Sequence, residues 1–481
     1  MSDANLSFGA SPLSPINRRT LLKAGAAASA GAFASGTLAA SKKQPPNILF
    51  IVADDLGYAD LSCFGRRDYE TPAIDSLARQ GLRFTSAYAN SPVCSATRTG
   101  LITGRYQYRL PVGLEEPVAR RDVGLPPAHP TLPSLLKQAG YTTALLGKWH
   151  LGNLPSYGPM QSGYDHFFGF RNGGVDYFSH DLAGRSDLWD GDVAVEKTGY
   201  LTDLLGNRCI DLLGELSAAS SPFFISLHFN APHWPWEAPG DQAVSEELAL
   251  RKDPFALMHY DGGNLATYAA IVQKMDMQVG RVLNQLETLS IANDTIVVFT
   301  SDNGGERFSD TWPFTGRKTE LLEGGIRVPQ IVRWPGLTSP GTQSDVPVMS
   351  MDFLPTLLAA AGAAPAPGYA PDGVDIRPAL RAEPMPERAL FWRYKNFNQR
   401  ACRIGRWKYL SIDGNEFLFD IIADPMERGN LKAKHPDIFS NLKARWEKWN
   451  TTMLPYDAKS MSHGFDGSQL ADHYGIKPAK E

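Results

Sequence analysis

The sequence predicts an α/β fold: a large domain with a mostly parallel sheet between helices, then a small C-terminal α+β domain with an antiparallel sheet. Three observations predict it. Continuous apolar runs, suited to strands buried on both faces, alternate with helix start and stop signals. The chain has 481 residues, more than one ordinary core accommodates. A Pro/Ala/Gly stretch from Ala361 to Pro371 separates the alternating part from a set of short strand-like runs.

The elements follow in order. Asn17-Arg18-Arg19-Thr20-Leu21-Leu22-Lys23 precedes a weakly apolar Ala/Gly/Ser run from Ala24 to Ala40. Paired arginines before a modest apolar region that ends in small residues read as a twin-arginine signal peptide over 1–40. The run is too short and too rich in Gly and Ser for a membrane helix. Asn47–Ala53 is an apolar run ending in Asp54-Asp55, as expected of a buried parallel strand. Thr71-Pro72 to Gly81 carries a cap, a first-turn proline and a terminal glycine; Thr131 to Gly140 repeats that grammar. Strands are expected at Tyr141–Leu146, Phe223–Phe229, Thr295–Thr300 and Gln330–Trp334, with a long helix over Leu265–Leu289. Gly158 to Asp192 lacks a sustained period and reads as irregular. Beyond the linker, Ala389–Tyr394, Arg400–Leu410 and Glu416–Asp420 read as strands and Pro436–Asn450 as a helix. The expected division is a catalytic domain over 41–365 and a smaller domain over 366–481.

Bulk composition limits the partners. Apolar residues make up 43% and charged residues 20%, the balance of a soluble globular protein. A net charge of -4 gives no general attraction for nucleic acid, so an anionic substrate needs a local cluster of cations. No later segment is apolar enough for a stable membrane span. The export signal implies the twin-arginine machinery as a partner and a periplasmic or secreted location in a bacterium. Four cysteines are too sparse for a disulfide framework and match no zinc spacing. Cys63, Cys209 and Cys402 read as packed thiols, with one disulfide at most among them.

Chemistry concentrates at strand ends. Asp54-Asp55 follows one strong strand and Asp302-Asn303-Gly304-Gly305 another. Either pair alone could be a turn. Together, three carboxylates and an amide oxygen form the all-oxygen set that hard divalent ions, Ca²⁺ above all, accept. A basic set accompanies them: Lys148 and His150 in Gly147-Lys148-Trp149-His150-Leu151-Gly152, His233 in Ala231-Pro232-His233-Trp234-Pro235, and Lys318 in Gly316-Arg317-Lys318. A lone Lys or His is ordinarily solvated or structurally bonded. These three segments are Gly/Pro-bounded loops next to strands, a placement that presents side chains at one sheet edge.

Cys94-Ser95-Ala96-Thr97-Arg98, leading into Thr99-Gly100-Leu101-Ile102-Thr103-Gly104-Arg105, resembles the signature of the type I, formylglycine-dependent sulfatases. Asp54-Asp55, Gly-Lys-Trp-His, the Pro-His of the middle loop, Ser-Asp-Asn-Gly, Lys-x4-Glu-Gly-Gly-x-Arg-Val-Pro and Ser350–Leu357 resemble further segments of that family, in order. The resemblance implies a large alkaline-phosphatase-like domain, Ca²⁺ held by Asp54, Asp55, Asp302, Asn303 and an oxygen of modified Cys94, and conversion of Cys94 to 3-oxoalanine (Cα-formylglycine) by a maturase. Arg98 and Lys148 would orient the aldehyde hydrate, His150 would assist turnover of the covalent intermediate, and His233 and Lys318 would contact the sulfate and leaving oxygen. The logic is coherent: one hydroxyl of the hydrate attacks sulfur and the other, deprotonated, collapses to expel sulfate. Ala96 stands where the commonest family pattern has proline, which resembles substrates of the radical-type maturase.

The implied function is hydrolysis of a sulfate ester on a carbohydrate, the substrate being a sulfated glycan or small molecule. Arg171, Asp176, His180 and Arg393 are candidates for sugar recognition, with loop stabilisation as the competing role. The alternatives are an arylsulfatase or a phosphate mono- or diester hydrolase of the same superfamily, and a non-catalytic glycan-binding relative. The complete set of nucleophile, bases and ligands argues against the last.

Overall fold

A computed structural model describes residues 44–114, 123–251, 253, 255–456, 460, 462 and 464–474. The signal-peptide expectation for 1–40 lies outside the described residues. The central sheet has ten strands. Its middle is parallel: Asn47–Ala53 pairs with Phe223–His228 on one side and Thr295–Ser301 on the other. Phe223–His228 pairs in parallel with Thr142–Lys148, and that strand with His166–Phe170. Gln330–Arg333 pairs antiparallel with Thr295–Ser301, and Leu82–Phe84 and Thr342–Ser344 continue the sheet beyond it.

Strand residues alternate between two cores, because successive side chains point to opposite faces. Leu49 and Ile51 pack with helices Pro72–Gln80, Leu201–Ser217 and Leu265–Thr288. Ile48, Phe50 and Val52 pack with Leu101, Leu135, Leu136 and Phe353 from helices on the other face. A strand covered on both sides has no polar face, which is why these runs are continuously apolar.

The expected α/β class holds, with three corrections to its elements. Arg400–Leu410 is two strands, Gln399–Ile404 and Trp407–Ile412, paired antiparallel across a Gly405-Arg406 turn. Gly405 supplies the positive φ of 55° that such a tight reversal needs. The stretch from Gly158 to Asp192 is not wholly irregular, since His166–Phe170 extends the parallel sheet. Third, the strand expected at Tyr141–Leu146 runs on to Lys148, which brings its last side chain to the functional edge.

The C-terminal antiparallel sheet has four strands, Ala389–Tyr394, Gln399–Ile404, Trp407–Ile412 and Asn415–Asp420, with helix Pro436–Asn450 against it. Its core is continuous with Tyr88, Val93 and Tyr106 of the larger part. A buried ionic network reinforces the contact. Lys408 lies 2.9 Å from both Glu323 and Glu427, while Tyr88 Oη donates to Glu323 at 2.6 Å and Arg327 sits 3.2 Å from it. Cys63, Cys94, Cys209 and Cys402 are all unpaired, and no described helix is long and apolar enough to cross a membrane.

Replacing Lys408 with Met leaves two buried carboxylates facing each other. Removing one partner from such a network costs about 3–5 kcal/mol. Denaturant or thermal unfolding should show that loss; unchanged stability would contradict the network's role.

Candidate active site

The parallel register delivers the site. Ala53 lies beside Ser301, Val52 beside His228, and His228 beside Gly147. The carboxyl ends of four strands therefore coincide, and the residues just beyond them are Asp54-Asp55, Asp302-Asn303, Lys148 and the loop carrying His233. Asp55 adopts a left-handed φ of 61° and His150 one of 58°. Such conformations are uncommon outside glycine, with Asp and His among the residues that tolerate them. Gly147, with φ of 108°, lets its strand approach closely: a Cβ there would stand 1.8 Å from the His228 carbonyl oxygen.

Cys94 opens the helix Cys94–Thr103, all of whose residues are buried. Its Sγ lies 3.7 Å from Asp55 Oδ1. Thr97 Oγ1 holds the approach to the helix, accepting from Ser91 N at 3.0 Å and donating to Ser91 O at 2.9 Å. One turn on, Arg98 donates from Nε and Nη2 to Asp302 Oδ2 at 3.0 and 2.8 Å. Lys148 Nζ donates to Asp54 Oδ2 at 2.6 Å, and Lys318 Nζ to Asp55 Oδ2 at 2.6 Å. His233 Nε2 stands 3.5 Å from the same Asp55 oxygen, while its Nδ1 lies 2.8 Å from Trp234 O.

This buried charge shifts every proton equilibrium around it. Burial pushes Asp54 up to about 8, opposed by Lys148 and reinforced by Asp302 and Asp55. Burial, then the charges of Lys148 and Lys318, hold His150 and His233 well below the usual histidine range. Burial also raises the Cys94 thiol well above its ordinary value, so the unmodified side chain is a poor thiolate here. Burial pulls Lys318 down, but the Asp55 carboxylate outweighs it and keeps the ammonium protonated.

A divalent cation fits the donor set. Asp54 Oδ1 and Asn303 Oδ1 are buried and accept no hydrogen bond within the protein. Ligand atoms of Asp54, Asp55, Cys94 and His233 lie within 4.8 Å of one another. Asn303 Nδ2 donates to Asp55 Oδ1 at 2.7 Å, which turns the amide oxygen free for another partner. Carboxylate and amide oxygens in such number suit a hard ion.

The four candidates for sugar recognition do not join this cluster. Arg171 stacks 4.0 Å from the Trp189 ring centroid and donates to Asp192 at 2.8 Å. Asp176 accepts from Phe178 N, Ser179 N and Ser245 Oγ at 2.8, 2.7 and 2.8 Å, an Asx-type turn. His180 Nε2 lies 3.1 Å from Gly199 O. Arg393 donates to Asn450 Oδ1 at 2.6 Å and packs between the Tyr108 and Tyr456 rings. Each of the four makes a hydrogen bond or ion pair within the protein. Two residues enter the site that the sequence reading did not single out. His228 contacts Arg98, and Glu306 Oε2 lies 3.9 Å from Lys318 Nζ. A histidine closing an apolar strand, and a carboxylate four residues after Asp302, were the available signals.

The fold and site define an ester hydrolase of the alkaline-phosphatase-like class, built to hold an anion among cationic side chains. A family model described as Sulfatase matches residues 46–363. N-acetylgalactosamine-6-sulfatase of Mus musculus is 33% identical over 402 residues, covering 78% of this chain and 74% of that protein. Arylsulfatase J of Mus musculus is 29% identical over 473 residues, covering 85% and 76%. The crystal structure of Ps i-CgsB in complex with k-i-k-neocarrahexaose superposes with a TM-score of 0.78 at 30% identity, covering 89% of this chain and 97% of that one. The chain belongs to the sulfatase family and is a sulfuric ester hydrolase.

In the metal-free protein the proton on Asp54 opposes cation binding below about pH 8. A carboxyl whose folded pKa is raised stabilises the metal-free fold at low pH and loses that contribution as pH rises toward about 8. Added divalent cation should therefore raise the melting temperature more as pH approaches that value. The gain is about 4 kcal/mol at roughly a thousandfold excess over the dissociation constant. Asn303→Leu should weaken cation affinity by at least about tenfold, about 1.4 kcal/mol. Equal stabilisation of both proteins, independent of pH, would contradict the assignment.

Proposed function

We propose that this protein removes sulfate from a carbohydrate, using Ca²⁺ and a Cα-formylglycine made from Cys94. The observation that carries the reading is the convergence of Cys94 with Asp54, Asp55, Asp302 and Asn303 and with five basic residues, Arg98, Lys148, His150, His233 and Lys318, at one sheet edge. The bound ion would supply charge neutralisation and the hydrated aldehyde an oxygen nucleophile, which a buried thiol does not provide.

The chain's own residues do the rest. Lys148 and Lys318 place fixed positive charge around the sulfate, where negative charge builds during S–O cleavage. Arg98 and Lys148 orient the modified side chain. His233 donates from Nδ1 to the Trp234 carbonyl, leaving Nε2 to receive and return a proton beside the leaving oxygen. His150, neutral and with an Nδ1 that has no partner in the protein, is suited to take a proton from the second hydroxyl.

The carbohydrate preference is supported by relatives: one is named for N-acetylgalactosamine-6-sulfate, and a structural neighbour binds k-i-k-neocarrahexaose. Residues 41–365 would form the catalytic domain and 366–481 a smaller one, with export by the twin-arginine route after a maturase has acted on Cys94. A second reading, phosphate ester hydrolysis, is favoured only by a fold shared with the phosphonate monoester hydrolase of Agrobacterium radiobacter (TM-score 0.59, 20% identity).

Sulfate and phosphate esters of the same sugar, assayed side by side, decide between the two. The sulfate ester should lead in kcat/KM by at least about a hundredfold, roughly 3 kcal/mol. Lys148→Ala or His233→Ala should lower kcat by about 10²–10⁴. Preference for the phosphate ester, or for an aryl sulfate over every sulfated sugar, would contradict the proposal.

A further inference from the structure

His228 closes the strand Phe223–His228 at the level of the active-site edge, and its ring is buried. Arg98 Nη1 lies 3.1 Å from His228 Nδ1 and 3.1 Å from the Lys148 carbonyl oxygen. The Nε and Nη2 atoms of Arg98 are both on Asp302 Oδ2. The guanidinium is thus held on both sides, by a carboxylate on one and by the imidazole with a carbonyl on the other.

Nδ1 also stands 3.3 Å from the Lys148 carbonyl oxygen, but its shorter 3.1 Å contact is with Arg98 Nη1, which only donates, so we assign Nδ1 as the bare nitrogen and Nε2 as carrying the proton. Burial, then the Arg98 charge, push the imidazole down to about 3, which keeps it an acceptor across the working pH range. Nε2 has no partner in the protein. His228 and Arg98 line a cavity whose walls are mostly apolar, Phe50, Leu101, Leu132, Trp149 and Phe224 among them, with Tyr164 and Ser226 hydrogen-bonded to each other. An aliphatic side chain would suit those walls better than a ring with an unpartnered N–H. Packing does not account for the histidine, whereas the contact with Arg98 does.

We propose that His228 is a positioning residue: its Nδ1 lone pair fixes Arg98 Nη1, so that the guanidinium stays aimed at the side chain derived from Cys94. This rests on the reading that Arg98 orients that side chain. Arg98 is one helical turn from Cys94, on the same face, so a small rotation of its fork moves charge at the nucleophile. A merely structural histidine would affect stability without affecting turnover of the folded enzyme.

The test compares His228→Asn with His228→Leu in enzyme whose Cys94 modification has been measured by mass spectrometry. Asn Oδ1 occupies nearly the place of His Nδ1; Leu offers no acceptor. Leu should lower kcat on an aryl sulfate by about tenfold or more with KM within about twofold, and Asn should stay within about threefold of the parent. In an Arg98→Ala background the Leu change should have less than about a twofold effect. Equal losses in Asn and Leu, an effect confined to KM, or full additivity with Arg98→Ala would overturn the proposal. If Leu does not fold, His228→Gln replaces it, its oxygen lying one bond further out; Gln matching Asn would overturn the proposal as well. A modified parent enzyme inactive on every sulfate ester would instead sink the underlying reading.

Discussion

Charge balance at one buried sheet edge governs this structure. Asp54, Asp55 and Asp302 are each almost completely buried, and like charges so placed repel strongly in a low-dielectric interior. The protein answers with one cation per carboxylate: Lys148 on Asp54, Lys318 on Asp55 and Arg98 on Asp302. Those pairings leave two buried oxygens, Asp54 Oδ1 and Asn303 Oδ1, without hydrogen-bond partners, and these are the atoms the proposed cation would take as ligands. Burial, reinforced by the same cations, keeps His150 and His233 neutral.

The remaining architecture fixes the distances in that cluster. Lys318 comes from the loop between the strand Thr295–Ser301 and the short helix Glu323–Ile326, so its position depends on how that loop is clamped. Lys318 N donates to Gly305 O at 2.9 Å and Thr319 N to Pro92 O at 2.9 Å, tying the loop to both the Asp302 turn and the approach to Cys94. From the C-terminal sheet, Gln399 accepts from Leu321 N and donates to Thr319 O, each at 2.8 Å. Glu427 accepts from Glu323 N at 2.6 Å. The small sheet therefore helps to hold the loop that carries Lys318.

Most of the fold was legible because its strands are buried on both faces. Asn47–Ala53 and Thr295–Ser301 could hardly be anything but central strands, and the charged residues directly after them had to stand at an edge. Features whose decisive partner is distant in sequence were less legible. Arg400–Leu410 reads as one strand, since a two-residue reversal at Gly405-Arg406 leaves little signal. Arg171, Asp176, His180 and Arg393 looked available for a ligand; their partners, Asp192, Ser245, Gly199 and Asn450, become visible only once the loops are packed. His228 ends an apolar run, and its relation to Arg98 exists only once the helix Cys94–Thr103 packs over the end of that strand.

The proposed activity requires Cys94 to be converted to formylglycine. Buried beside a carboxylate, its thiol is held in the protonated form, so an unmodified cysteine makes a weak nucleophile in an otherwise well-formed anion site. Peptide mass spectrometry across Cys94, made on preparations whose turnover of a sulfate ester is measured in parallel, addresses this directly. Specific activity should rise in proportion to the fraction carrying formylglycine and vanish in Cys94→Ala. Full activity from protein in which Cys94 is entirely unmodified, or from the alanine variant, would contradict it.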